Sequence, residues 1–200
     1  MKNYHNSIVI SFMGVDGSGK STLIKKIINK FKKKFKKIKY LHLKPYFLLI
    51  DKSTVNKSPH NFKKLRSNFS SLIVILIWLF QYKIFFFINR RKKNQLIIFD
   101  RYAHDLLIDR VRYRHSLSLT LTKKILKLFP EPHLWVFLHA SPKVIETRKK
   151  ELSRKELNRQ IREYIKFSKT KKNSILLKTN NNNPNNLLLI KKKIETIISI

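Results

Sequence analysis

The sequence predicts an α/β protein in which a five-stranded parallel sheet lies between two layers of helices. Three observations carry that expectation. Short apolar runs of strand length alternate with longer stretches whose apolar residues recur at helical spacing. All three glycines, Gly14, Gly17 and Gly19, fall in FMGVDGSGKST at residues 12–22, between the first such strand and the first such helix. The third strand ends in Asp100-Arg101, so both polar features meet at the C-terminal edge of a parallel sheet, where ligands of such folds bind.

Taken in order, Ser7-Ile8-Val9-Ile10-Ser11-Phe12 reads as the first strand because it is short, apolar and rich in β-branched residues. Apolar residues at helical spacing then extend a helix from 20 to about 36, and Ile38–Leu43 reads as a second strand. Residues 44–59 are irregular, and a long helix is expected over about 61–92. Gln95–Phe99 is the third strand, followed by helices near 103–109 and 118–129. Leu134–Leu138 is the fourth strand, and Ser141 before Pro142 reads as a helix start. Charged helical sequence runs on to about Lys169, Ser174–Leu177 is the fifth strand, and the asparagine run 180–186 is a polar linker before a last helix, 187–200. All 200 residues are expected to form one domain.

Glycine is the residue for positive φ and for backbone that must touch a ligand. Gly14-Val-Asp-Gly-Ser-Gly19-Lys20-Ser21 fits G-x-x-x-x-G-K-[ST], the phosphate-binding loop pattern, in the strand–loop–helix context that pattern needs. Backbone N–H groups of Gly14, Asp16, Gly17, Ser18, Gly19, Lys20, Ser21 and Thr22, with the helix N-terminus, would then face phosphate. Lys20 is expected on the β/γ-phosphates and Ser21 on Mg²⁺, with ATP as the nucleotide. The expectation is therefore a three-layer P-loop NTPase fold. Asp100, at a strand end beside this loop, suits a carboxylate holding Mg²⁺ directly or through water, and Arg101 suits bidentate grip of an acceptor phosphate.

Composition excludes other classes. A GTPase needs D-x-x-G beyond its loop, and no glycine is there to supply it; N-K-x-D is also absent. With no cysteine there is no disulfide, thiol nucleophile or cysteine-based zinc site, which fits a cytoplasmic protein. No secretory apolar region is expected at the N-terminus, whose first apolar run is a short strand. The formal net charge of +34 would suit a polyanion, but no nucleic-acid-binding motif accompanies it, so the charge reads chiefly as composition. Leu72–Ile88 is mostly apolar yet interrupted by Gln81 and Lys83, and a spanning helix needs about 20 residues. It reads as a core helix packed on the sheet; peripheral membrane contact through 72–93, with Arg90-Arg91-Lys92-Lys93 at the interface, is the alternative.

FMGVDGSGKSTL, IIFDRYAHD and PEPHLWVFLHASPKVIETRKKE together resemble the thymidylate kinase family, and LNRQIREYIKF resembles the helix after that family's lid. The resemblance spans residues 7 to about 170. It implies transfer of the ATP γ-phosphate to dTMP, a small-molecule acceptor, and a homodimer. It puts Asp16, Arg101 and Tyr102 on the acceptor and a lid at about 148–158. Within that lid Arg148 resembles the arginine that meets ATP, and Arg154 is a second candidate for the transferring phosphoryl group, because the loop itself has no arginine. The family's R-E-P-G stretch is missing, with Lys44-Pro45 standing in for part of it, and an Arg110, Arg112 and Arg114 cluster replaces the usual alanine-tyrosine-glutamine run. HLKP, SPH and the hydrophobic helix resemble a divergent branch associated with surface polysaccharides, for which a sugar- or lipid-linked acceptor at a membrane is the alternative to dTMP.

Overall fold

The computed structural model describes residues 7–43, 65–181 and 183–199. Five strands, β1 Ile8–Met13, β2 Lys37–His42, β3 Gln95–Asp100, β4 Leu134–His139 and β5 Ser174–Lys178, form one parallel sheet in the order β2-β3-β1-β4-β5. Six α-helices connect them among the described residues: α1 Lys20–Phe31, α2 Asn68–Arg90, α3 Leu119–Leu126, α4 Pro142–Arg148, α5 Arg154–Ser168 and α6 Pro184–Ile198.

The three central strands are buried on both faces, which is why they read as unbroken apolar runs. Alternate side chains feed two cores. Val9, Ile97, Phe99, Trp135 and Phe137 join one core with residues of α2, α3 and α5. Ile8, Ile10, Phe12, Ile98 and Val136 join the other with α1 and α6. The first core is aromatic: Tyr82 of α2 stacks on Phe99 at 5.5 Å and meets Tyr102 edge-on at 4.7 Å. Register places Phe12 opposite Asp100, so the chain leaving β1 and the chain leaving β3 emerge side by side.

Several element boundaries differ from the sequence expectation. α1 ends at Phe31, and Phe35 N–H bonds back to Phe31 O as the chain turns. α2 begins after Ser67, whose hydroxyl accepts from the Ser70 N–H; residues 61–64 of the expected helix lie outside the described residues. The 103–107 stretch is a 3-10 turn. The charged helix is two helices, because Lys149 is extended and Ser153 starts α5 afresh by accepting from Glu156 N–H. Residues 184–186 of the asparagine run are helical, since Asn183 accepts from Asn185 N–H and Pro184 suits the first turn.

Candidate active site

The loop between β1 and α1 shows why glycine is confined to it. Gly14 has φ 146°, and a Cβ there would lie 2.4 Å from the Leu138 carbonyl oxygen of β4. Gly19 caps α1 in the left-handed conformation at φ 87°. The turn is closed by Ser18 N–H donating to Val15 O at 3.1 Å. Lys20 reaches back from the first turn of α1, donating to Gly14 O at 2.7 Å and Val15 O at 2.9 Å. Burial and the Arg101 guanidinium push its ammonium down to about 8, against the pull of Asp16, Asp100 and Asp105.

Asp16, at the middle of the loop, is the electrostatic hub. Its carboxylate pairs with Arg101, with Arg112 at 2.6 Å, with Lys20 at 3.4 Å and with Lys149 at 3.6 Å. Burial raises its pKa, and Arg101, Lys20 and Arg112 overwhelm that, holding the carboxyl far below the ordinary range. Four cations from four segments thus converge on one anion, and two of them have a second carboxylate, Arg101 at Asp105 and Lys149 at Glu151.

Arg101 follows β3 with φ 75°, a left-handed conformation that costs a non-glycine residue about 1–3 kcal/mol. That turn carries its side chain under the loop, where it is buried. It pairs with Asp105 as well as Asp16 and lies 3.2 Å from the Tyr164 hydroxyl. Asp105 in turn accepts from Tyr164 at 2.8 Å and Tyr113 at 3.0 Å. Burial works against the Arg101 cation, and Asp105, the two tyrosines and Asp16 more than restore it. A buried guanidinium with this many partners is fixed in place.

Asp100 accepts from Tyr40 at 2.9 Å through Oδ2, with His42 Nδ1 at 3.9 Å. Burial raises its pKa, but His42, Lys20 and Tyr40 outweigh that and keep it a carboxylate. Its Oδ1 is buried with no hydrogen-bond partner among the described residues. An ionised carboxylate oxygen with an open coordination position beside the loop fits a divalent cation, and Ser21 stands exposed in the first turn of α1. Among the described residues no group of three His, Cys, Asp or Glu gathers for a metal, so ligands beyond Asp100 and Ser21 would come from phosphate and water.

Arg148, at the end of α4, donates to Gly17 O at 3.3 Å and to Thr179 O at 2.9 Å. With Gly19, Thr22, Lys26, Thr179 and Asn181 it lines a cleft of about 540 Å³ that adjoins the loop. Arg154 pairs with Glu146 at the surface and does not reach the loop. Tyr102 is in the core rather than the cleft: its ring packs on Phe99 and Trp135, and its hydroxyl donates to Pro130 O. Lys44 lies outside the described residues. The sequence reading missed Lys149 and Thr179. It singled out Arg110, Arg112 and Arg114 together; Arg112 reaches Asp16, whereas Arg110 is spent on the carbonyls of His115 and Leu117.

No protein-family model and no curated protein matches the chain. Solved structures do. Thymidylate kinase from Ehrlichia chaffeensis superposes with a TM-score of 0.61 at 13% identity, covering 96% of this chain and 99% of that one. Thymidylate kinase from Candida albicans gives 0.62 at 15% identity, covering 98% and 94%. The glycine-bearing loop, the buried arginine after β3 and the basic α4–α5 connection are thus carried on a backbone that, across nearly its whole length, has the fold of the thymidylate kinases.

Proposed function

We propose that the protein is an ATP-dependent phosphotransferase of the thymidylate kinase type, moving the γ-phosphoryl group of ATP to dTMP to give dTDP and ADP. The observation that carries the reading is the convergence of Lys20, Arg101, Arg112 and Lys149 on Asp16 beside the phosphate loop. Two phosphate-bearing substrates have to meet head to head, and such a concentration of cations offsets their repulsion.

In this reading the loop N–H groups and Lys20 hold the β- and γ-phosphates, and Arg148 lies over the nucleoside side of the cleft it lines. Arg101 and Arg112 hold the acceptor phosphate, with Asp16 setting their positions and facing the acceptor. Mg²⁺ at Ser21 and Asp100 would neutralise charge on the transferring group. An acceptor phosphate oxygen attacks the γ-phosphorus as the bond to the ADP oxygen breaks. The stretch 148–158, containing the α4–α5 connection, is the lid, bringing Lys149 to Asp16 and carrying Arg154 for the transition state. Cytoplasmic placement follows from the substrates.

The acceptor is tested by phosphoryl transfer from ATP/Mg²⁺ to dTMP beside dUMP, dCMP and dAMP, with Lys20→Ala as control. Lys20-dependent dTDP formation supports the reading; ATP binding with no transfer to any nucleotide overturns the acceptor. A second reading, a sugar- or lipid-linked phosphate acceptor at a membrane, is favoured by one observation: α2, with an exposed apolar face, starts beside the Arg112 segment, where Arg66 donates to Tyr113 O at 2.8 Å.

A further inference from the structure

β2 is an edge strand, and its alternate residues face different helical layers. Leu41 packs against the core shared with α2, and Ile38 against the core shared with α1. Tyr40 lies on the Ile38 face, is 48% exposed and joins neither core among the described residues. What it reaches is Asp100. Its hydroxyl donates to Asp100 Oδ2 at 2.9 Å, across the pairing of β2 with β3.

Asp100 is otherwise fixed only through its backbone. Leu43 N–H donates to Asp100 O at 2.8 Å, and the next residue, Arg101, donates its N–H to Phe12 O at 2.9 Å. Alternation along β3 puts the Asp100 side chain on the face of Leu96 and Ile98, which α1 covers, and α1 begins with Lys20 and Ser21. The soft torsion left is the carboxylate rotor, a broad two-fold well that by itself lets either oxygen point forward. Tyr40 fixes it. Oδ2 is taken by the phenol, with His42 Nδ1 at 3.9 Å on the same side, and Oδ1 is buried without a hydrogen-bond partner among the described residues.

One free oxygen and two free oxygens suit different cations. Ca²⁺ takes about six to eight oxygens and accepts both oxygens of one carboxylate, whereas Mg²⁺ demands a compact octahedron filled mostly by phosphate and water. We propose that Tyr40 is a positioning residue for the metal: by occupying Asp100 Oδ2 it presents Oδ1 alone, so that the nucleotide-loaded site takes Mg²⁺ and discriminates against Ca²⁺. Tyr40 acts through the carboxylate and does not touch the cation. The proposal rests on the reading of Asp100 and Ser21 as the metal-facing residues, and it is independent of which acceptor the enzyme uses.

The test is Tyr40→Phe, which keeps the ring and removes the donor. Mn²⁺ binding to the full chain with ADP, followed by electron paramagnetic resonance and competed with Mg²⁺ or Ca²⁺, reads affinity and preference without turnover and without an acceptor. Tyr40→Phe should weaken Mg²⁺ about tenfold and narrow the preference for Mg²⁺ over Ca²⁺ by a similar factor, with far-UV circular dichroism unchanged. Equal weakening of both cations would make Tyr40 a support of the strand alone, and the proposal falls. Unchanged binding in Tyr40→Phe, where Asp100→Asn loses the metal, also overturns it and leaves Asp100 on the metal. If Asp100→Asn binds Mn²⁺ as the natural chain does, or if the natural chain shows no ADP-dependent Mn²⁺ binding, the metal assignment itself fails and takes the proposal with it.

Discussion

Arg112 donates to Asp16 Oδ2 at 2.6 Å across 96 residues of sequence. Arg112 approaches from the segment between the 3-10 turn and α3, while Asp16 sits inside the glycine-bearing loop between β1 and α1. The pair therefore ties the proposed acceptor side to the proposed donor side through one carboxylate. Because Arg101 is already committed to Asp105 and Tyr164, Arg112 is the guanidinium freer to exchange Asp16 for an incoming phosphate.

Arg112→Ala should raise KM for the acceptor roughly tenfold to a hundredfold, the worth of a charged hydrogen bond, and leave KM for ATP nearly unchanged. Arg112→Lys should recover part of the loss, because it restores charge without the planar fork. Steady-state kinetics with each substrate varied in turn checks both; a rise in the ATP KM instead would place Arg112 on the donor.

Lys20 gives a pH signature. Its ammonium is held down to about 8 in the folded protein, against 10.5 as the ordinary value. Between those two pH values the unfolded chain carries the proton and the folded chain does not, so this group's contribution to stability rises with pH across that window. Below about 8 the folded state bears the full cost of the buried ammonium. Thermal unfolding from pH 7 to 10 should show a steeper rise for the natural chain than for Lys20→Met, while ATP binding weakens above about pH 8 in the natural chain alone.

The loop glycines separate by space. Gly14→Ala sets a Cβ against Leu138 O at 2.4 Å on top of an unfavourable φ, and should cost about 3 kcal/mol or more. Gly19→Ala meets only ordinary van der Waals contacts, Thr179 at 3.8 Å and Arg148 at 3.9 Å, and should cost only the left-handed strain of about 1–2 kcal/mol. Urea denaturation of the two variants measures the difference directly.

Asp105→Ala leaves the buried Arg101 guanidinium short of a counter-ion and two tyrosine hydroxyls without their acceptor. A destabilisation of about 3–5 kcal/mol is expected, read as a fall in the denaturation midpoint. Asp105→Asn should be milder, since the amide oxygen still accepts.

The strand–loop–helix around the three glycines was legible because its signal is local: three glycines, a lysine and a serine at fixed spacing between a strand and a helix. The sheet was legible because its central strands are buried on both faces and read as apolar runs. Lys149 was not, because the break between α4 and α5 carries neither glycine nor proline and hides within charged helical sequence. Tyr102 could not be separated from Arg101 by sequence: adjacent side chains at a strand end turn opposite ways, one under the loop and one into the core. The outer face of α2 was equally hidden, because a helix apolar on all sides has no periodicity to say which side meets the core.

Elsewhere the chain turns its corners with side chains attached. Leu43, Asn94, Arg101 and Arg114 have φ between 52° and 75°, a region that asparagine tolerates well and the others poorly. At about 1–2 kcal/mol each, three such corners offset a sizeable part of the 5–15 kcal/mol that keeps a domain folded. A glycine would relax the backbone at Leu43 only by giving up that side chain's packing against the core, and at Arg101 the same exchange would delete the guanidinium that the corner aims at Asp16 and Asp105.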